Sequence, residues 1–222
     1  MISKQQLSER TVEHGAPAVA RRAQFAIKRL LDVLGGGILL VILLPLIGIA
    51  AALVRLTSPG PAVYAGMRYG RGGIPFPCYK LRSMRIDQDA VMLASGLPAT
   101  GDDGRPLLHA RDPRVTPVGR WIRALSIDEL PQLLNVVRGE MSLIGPRPLA
   151  ISMLAPYPDF KDARSVVRPG ITGLWQVRAR QKNVGALDMM HDDLEYIDTY
   201  SLALDARIAV LTLRRLVMFD PD

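Results

Sequence analysis

The chain has 222 residues and a formal net charge of +7, and aromatic residues make up only 5% of it. The length suits one sizeable domain, or a small domain with an appendage. The positive charge indicates an anionic partner: a nucleic acid, a phosphorylated substrate or a membrane surface. Few aromatic side chains could stack on bases, and no helix-turn-helix or zinc-finger spacing is present, which disfavours nucleic-acid binding. A single cysteine, Cys78, rules out a disulfide within this sequence and favours a reducing cytoplasm.

The first part of the chain predicts a tail followed by a membrane segment. Residues 1–16 are polar and mixed in charge, and we expect a mobile tail. The region 17–57 begins with alternating basic and apolar residues, typical of a helix at a membrane surface. It continues with 33–54, a run without charges that is long enough to cross a bilayer core. Pro45 lies near the middle of that run and predicts a kink in the helix.

Several topologies fit this apolar run. Basic residues flank it on both sides, so the positive-inside rule assigns no direction. A straight transmembrane helix is the simplest alternative. A re-entrant hairpin that bends at Pro45 and leaves by the face it entered satisfies both basic flanks. A cleaved signal peptide fits poorly because roughly thirty residues precede the run, and a buried core helix would be unusually long.

The middle of the chain predicts turns, a hairpin and a loop. The motif TSPGP at 57–61 is a turn that ends the apolar segment. Short extended segments on either side of GRGG predict a small β-hairpin within 62–84. Lys80 and Arg82 alternate with apolar neighbours there, so both would project from one strand face, either into solvent or towards an anion. The polar region 85–112 predicts a variable loop.

The rest of the chain predicts short amphipathic helices. They are expected at 118–125, at 133–137, around 193–196 and at 205–219. The segment 168–173, RPGITG, is rich in turn residues, and its glycines would let a phosphate approach the backbone. These elements together predict a mainly α fold with a small β-hairpin, an α+β arrangement.

One stretch, Ser126 to Pro148, combines features that suit phosphate chemistry. Asp128 and Glu129 lie at an expected helix start, where positive potential would attract anions. Eighteen residues after Glu129, Arg147 stands between two prolines that restrict its backbone. The same pattern, Ser126-x-x-Glu129, is also a capping box that needs no further function. Two registers are open, with either Ser126 or Asp128 as the N-cap.

Taken in order, the motifs resemble those of the bacterial sugar transferases, the monotopic phosphoglycosyl transferases that move a sugar 1-phosphate onto a polyprenol phosphate. The resemblance covers about residues 28–219. It rests on the blocks KRLLDV, SPGP, YKLRSM, DPRVTPVGRWIR, SIDELPQLLNVVRGEMSLIGPRP, VRPGITGLWQV and DLEYIDTYSLALDARI.

The resemblance implies a topology, a reaction and its partners. The membrane segment would be a re-entrant helix broken at Pro45, and residues 58–222 would form a catalytic domain on the cytoplasmic face of the bacterial inner membrane. The substrates would be a UDP-hexose and undecaprenyl phosphate, with UMP released and Mg²⁺ as cofactor. The form GLWQV looks like the branch that serves exopolysaccharide assembly. Apolar faces on the membrane helices are also compatible with a homodimer.

The resemblance also assigns roles to individual residues. Asp128 would bind the metal and attack the β-phosphate of the UDP-sugar to form a covalent phosphosugar intermediate, and Glu129 would assist the acceptor phosphate. Asp193 and Asp205 match acidic positions of the family. Each would either form a salt bridge that organises the basic pocket or contact the substrate. Four basic residues match family positions, and two more, Arg82 on the strand face and Arg168 at the glycine turn, follow from local patterns. The expected phosphate- and nucleotide-binding residues are therefore Lys80, Arg82, Arg123, Arg147, Arg168 and Arg180.

The chain departs from the family pattern at three places. Leu44 replaces the serine that usually precedes the helix-breaking proline, Ala65 and Gly66 replace Arg-Gln, and Ala179 replaces the glycine before Arg180. These departures suggest an alternative, a decayed membrane-anchored protein that only binds nucleotide sugars. The intact Asp-Glu dyad favours the enzyme.

Overall fold

The computed structural model describes residues 18–96, 112–178 and 186–218. Within these ranges the protein is mainly helical with two small two-stranded sheets, which confirms the predicted mainly α fold. The helices are α1 (Ala18–Thr57), α2 (Gln88–Ser95), α3 (Pro117–Ala124), α4 (Gln132–Arg138), α5 (Ile151–Leu154), α6 (Pro158–Arg164), α7 (Leu174–Arg178), α8 (Ala186–Asp198) and α9 (Leu202–Met218). The strands are β1 (Val63–Tyr69), β2 (Pro75–Leu81), β3 (Ser142–Ile144) and β4 (Gly170–Thr172). Short 3₁₀ turns cover Arg71–Gly73 and Ile127–Glu129.

The predicted β-hairpin is present. Strands β1 and β2 pair antiparallel, with Gly66 opposite Cys78 and Tyr64 opposite Lys80. Phe76, Cys78 and Lys80 share one strand face, on which Phe76 and Cys78 are buried in the core and Lys80, near the strand end, is partly buried. The second sheet pairs β3 with β4 in parallel, so part of the RPGITG segment, predicted as a turn, is a strand.

The predicted membrane segment and the basic residues before it form a single helix. Helix α1 has 40 residues and runs on through Pro45, so the surface helix expected before the apolar run is not a separate element. Within the described residues, Ala23–Thr57 is long and apolar enough to cross a membrane, judged by length and composition. Exposed apolar residues recur along it every three or four positions, as in Ile38, Ile42, Leu46, Ile49 and Leu53.

Both halves of α1 pack against the same globular part. In the first half, a Cβ on Gly36 would lie 2.9 Å from a methyl carbon of Val136 in α4, so the two helices are in close contact. In the second half, Ala50 and Val54 are buried in one cluster with Leu81 and Ile122. Between these two contacts, no residue from 37 to 49 is buried.

Polar residues of the KRLLDV motif attach α1 to the globular part. Lys28 Nζ lies 2.7 Å from a carboxylate oxygen of Asp205. The Arg29 guanidinium donates two hydrogen bonds to carbonyls in the last turn of α4. The buried Asp32 carboxylate accepts from the Ser142 hydroxyl at 3.0 Å and from the next backbone N–H at 2.9 Å. The motif therefore connects α1 to the globular part.

The helix expected to begin near Ser126 begins later. Ile127–Glu129 is a 3₁₀ turn and α4 starts at Gln132. Ser126 directly precedes the turn, with a left-handed backbone (φ 55°), but its side chain does not cap the turn. The predicted capping box is therefore not formed, and the register with Asp128 as the N-cap is wrong because Asp128 lies inside the turn. The physical reason is that Pro131 has no N–H to donate to Ile127, and the chain uses i to i+3 bonds there instead.

Candidate active site

The two carboxylates of the dyad lie on the 3₁₀ turn and have different surroundings. Asp128 is buried with 8% of its surface exposed, whereas Glu129 is partly exposed. The turn packs between α3 and strand β2, and these elements bring basic residues to it. A three-residue 3₁₀ turn lacks the dipole of a long helix, so the cations beside the dyad supply the positive potential.

Glu129 is held by two cations. Its Oε1 atom lies 2.6 Å from Lys80 Nζ and 2.9 Å from Arg147 Nη2. Burial alone would raise the pKa of Glu129, but Arg147 and Lys80 lower it to about 2. Glu129 is therefore ionised at neutral pH and is a weak base.

The pKa of Asp128 is shifted in the opposite direction to that of Glu129. Burial is the main reason that its pKa is raised above the ordinary value, and the negative charge of Glu129 adds to this effect. Lys80, Arg123 and Arg147 act against it and favour the ionised form. A desolvated carboxylate whose ionised form is favoured by three cations suits the attack of an oxygen nucleophile on a phosphorus atom, where negative charge must be screened.

A buried asparagine places Lys80 beside the dyad. The Asn135 side chain accepts from the Tyr79 N–H at 3.1 Å and donates to the Pro77 carbonyl at 2.8 Å, which joins α4 to β2. Its amide also donates to Glu140 at 2.6 Å. Asn135 was not predicted as a site residue from the sequence; its signal there is a polar residue within an otherwise apolar helical stretch.

Arg147 is also positioned by residues distant in sequence. Arg164 donates a hydrogen bond to the Arg147 carbonyl and pairs with Asp193 at 2.8 Å. Burial raises the pKa of Asp193 to about 6 even though Arg164 stabilises its carboxylate. Arg164 could not be predicted as a site residue, because nothing in its local sequence pattern separates it from the exposed charges of the same helix.

Two other predicted phosphate-binding cations contact backbone carbonyls, and a third lies outside the described residues. Arg82 donates to the carbonyls of Ser58, Pro59 and Gly60 and so holds the SPGP turn. Arg168 Nε donates to the Gly139 carbonyl at 2.7 Å. Arg180 lies outside the described residues, as does the Ala179 departure. The phosphate-binding roles of these three residues stay predictions.

The two supporting acids both form salt bridges. Asp193 pairs with Arg164, and Asp205 pairs with Lys28 and accepts a hydrogen bond from the Tyr196 hydroxyl at 2.8 Å. Of the two roles expected for them, this geometry matches the salt-bridge role.

The carboxylates fit Mg²⁺ only together with substrate oxygens. Among the described residues, no group of three or more His, Cys, Asp or Glu side chains could hold a metal ion. Mg²⁺ is commonly bound by one or two carboxylates, water molecules and substrate phosphates rather than by an all-protein cage. Asp128 could supply such a carboxylate, since Glu129 already pairs with Lys80 and Arg147.

Comparison with known proteins gives the same family as the motifs. A family model described as bacterial sugar transferase matches residues 23–219. The chain is 41% identical to the UDP-glucose:undecaprenyl-phosphate glucose-1-phosphate transferase of Caulobacter vibrioides, over 95% of this chain and 76% of that protein. It is 38% identical to the exopolysaccharide production protein ExoY of Sinorhizobium fredii, over 84% and 83%.

A third relative is much longer than this chain. The undecaprenyl-phosphate galactose phosphotransferase of Salmonella typhimurium is 40% identical over 82% of this chain but only 37% of its own length. The match to the family model covers most of the chain and includes the dyad, the basic residues around it and the apolar helix. The chain belongs to the bacterial sugar transferase family.

Proposed function

We propose that this enzyme transfers a hexose 1-phosphate from a UDP-hexose to undecaprenyl phosphate and releases UMP, in exopolysaccharide or related glycan synthesis. The observation that carries the proposal is the buried Asp128 beside Glu129, within the field of Lys80, Arg123 and Arg147. The names of the relatives support the acceptor and a glucose or galactose donor.

In the first step, a carboxylate oxygen of Asp128 forms a bond to the β-phosphorus of the UDP-sugar. The bond between that phosphorus and the oxygen bridging to the α-phosphate breaks, and UMP leaves. In the second step, a phosphate oxygen of undecaprenyl phosphate attacks the same phosphorus, and the Asp128 carboxylate is released. Mg²⁺, when bound through Asp128, would neutralise phosphate charge.

The role of Glu129 follows from its basicity. A general base works best with a pKa near the operating pH, whereas Glu129 has a pKa of about 2. The phosphate oxygens of the acceptor are already ionised and need no base. We therefore assign Glu129 to positioning: it holds Lys80 and Arg147, whose cations can turn from Glu129 to phosphate oxygens when a substrate arrives.

The packing of α1 supports the re-entrant topology. Gly36 and Val54 are about 27 Å apart along a straight helix, close to the thickness of a bilayer core. Both nevertheless pack against one globular part, at Val136 and at Leu81. A helix crossing perpendicular to the bilayer would place these two contacts on opposite faces. A bend at Pro45 would return the chain to the cytoplasmic face of the inner membrane.

The transfer reaction is tested with purified protein, Mg²⁺, undecaprenyl phosphate and a panel of UDP-sugars that includes UDP-glucose and UDP-galactose. We expect UMP release with at least one hexose, and none from the Asp128→Asn variant. Binding of a UDP-hexose by folded protein without UMP release would favour the decayed binding protein instead. Full activity of Asp128→Asn would overturn the covalent step while leaving the overall reaction intact.

Labelling from one side of sealed vesicles tests the topology. Cysteines introduced at Ser8 and Ser95 should react from the same side if the helix is re-entrant. The native Cys78 is buried and only 2% exposed, so it contributes little background. Labelling from opposite sides would establish a straight transmembrane helix.

A further inference from the structure

A buried ion pair lies behind the loop that carries Arg147. Arg164 in α6 and Asp193 in α8 have side chains that are 6% and 3% exposed, and Arg164 Nη2 lies 2.8 Å from Asp193 Oδ2. The Arg164 guanidinium also lies over the Phe160 ring, 5.3 Å from its centroid. The guanidinium is therefore enclosed and held in one place.

The nitrogen of Arg164 that contacts Asp193 also contacts the loop of the active site. Arg164 Nη2 donates to the backbone carbonyl oxygen of Arg147, and Arg147 Nη2 donates to Glu129 at 2.9 Å. A chain of hydrogen bonds thus runs from Asp193 through Arg164 and Arg147 to Glu129. Asp193 lies on α8 and Arg164 on α6. Arg147 lies on the loop between β3 and α5, and Glu129 on the 3₁₀ turn.

Stability alone does not require an ion pair at this position. Removing two charges from water is costly, and well-packed apolar residues of similar size are often as stabilising as a buried pair. The loop at Arg147, however, has few backbone groups of its own that can fix its conformation. The residues on both sides, Pro146 and Pro148, have no N–H, so few backbone groups can hold the segment. A hydrogen bond to the Arg147 carbonyl fixes the peptide plane from which the guanidinium extends.

We propose that Arg164, oriented by Asp193, is a positioning residue that aims the Arg147 guanidinium at the dyad and at the phosphates of the substrate. This inference rests on the proposed function. Neither Arg164 nor Asp193 needs to touch the substrate for this role. A loss of position of about 1 Å at such a site costs on the order of a hundredfold in rate.

The test is the double variant R164M/D193L, which removes both charges together and leaves no charged partner unpaired. Activity is measured as UMP release in the wild-type, Arg147→Ala and Arg147→Ala/R164M/D193L backgrounds. We expect R164M/D193L to lose about tenfold to a hundredfold in kcat/KM. In the Arg147→Ala background it should cause almost no further loss, because Arg164 acts through Arg147. The control is R85Q/D87N, an exposed pair of the same residue types.

Two results would overturn the proposal. One is a folded R164M/D193L protein with wild-type activity; the other is a loss of the same size with and without Arg147, as a general structural role predicts. If R164M/D193L does not fold, Arg164→Gln, which keeps a donor but lacks the reach and charge of arginine, is measured in the same cycle and judged by the same two results.

Hydrogen exchange separates this inference from the proposed function. Backbone amides in residues 144–150 should exchange faster in R164M/D193L than in the wild-type protein, whereas amides of the β1–β2 hairpin should not change. Absence of UMP release from the wild-type protein would refute the proposed function, and the exchange measurement would still test the anchoring of Arg147. Unchanged exchange in residues 144–150 would overturn the anchoring.

Discussion

Glu129 should contribute to folding stability as well as to the site. Its pKa falls from an ordinary value of 4.5 to about 2. At about 1.4 kcal/mol per pKa unit this corresponds to about 3 kcal/mol. Its side chain is 17% exposed, so little of this is lost to screening by solvent. We expect Glu129→Gln to destabilise the protein at pH 7 by about 2 to 3 kcal/mol, because Lys80 and Arg147 lose their carboxylate.

The sign of the pH dependence follows from the lowered pKa. The stabilisation by Glu129 is fully present above pH 4.5, where the carboxylate is ionised in both the folded and the unfolded protein. It is lost as the pH falls towards 2, because the unfolded chain takes up the proton first. The difference in stability between the wild-type protein and Glu129→Gln should therefore shrink between pH 4.5 and pH 2.

Thermal unfolding in detergent micelles, followed by circular dichroism, measures this difference. For a chain of this size we expect the unfolding midpoint to fall by roughly 5 to 10 °C at pH 7. The matched control is Glu195→Gln, since Glu195 also pairs with an arginine, Arg178, but both side chains are about a third exposed or more. That variant should lose less than about 1 kcal/mol. Equal effects of the two variants, or a difference for Glu129→Gln that persists unchanged to pH 3, would refute the reasoning.

Three further predictions concern the dyad and its supports. Because burial raises the pKa of Asp128, UMP release should decline on acidification at a pH above the ordinary aspartate value of about 3.9; a pH–rate profile that declines only below that value would contradict this. Gly36→Leu should cost about 1 to 3 kcal/mol, since its Cβ would lie 2.9 Å from a methyl carbon of α4. Gly37→Leu has nothing within 4 Å and should cost much less; equal unfolding midpoints would refute the packing of α1. Asn135→Asp loses two donors and faces Glu140, so we expect a loss of about 2 to 4 kcal/mol. Adding Glu140→Gln should recover part of it, and no recovery would count against this network.

Part of the site could be predicted because its signals are local. The Asp-Glu pair, the proline-flanked Arg147 and the family motifs are runs of neighbouring residues, and they placed the chain in its family. The hairpin followed from alternation around GRGG, and the apolar helix from the length of a run without charges. The helix start at Ser126 was predicted wrongly, because a capping pattern does not reveal the effect of Pro131 on the following turn.

The sequence by itself therefore determined the family and the long apolar helix, and it identified Asp128 and Glu129 as the candidate dyad. Only the tertiary structure decided which charges meet. Glu129 binds Lys80 from β2 and Arg147 from a later loop. Arg164 contacts Asp193 from another helix, and Lys28 of α1 contacts Asp205, 177 positions away. Ion pairs form over a few ångströms, and the distance between two side chains depends on how α1, α4, α6 and the hairpin pack, which spacing along the chain does not determine.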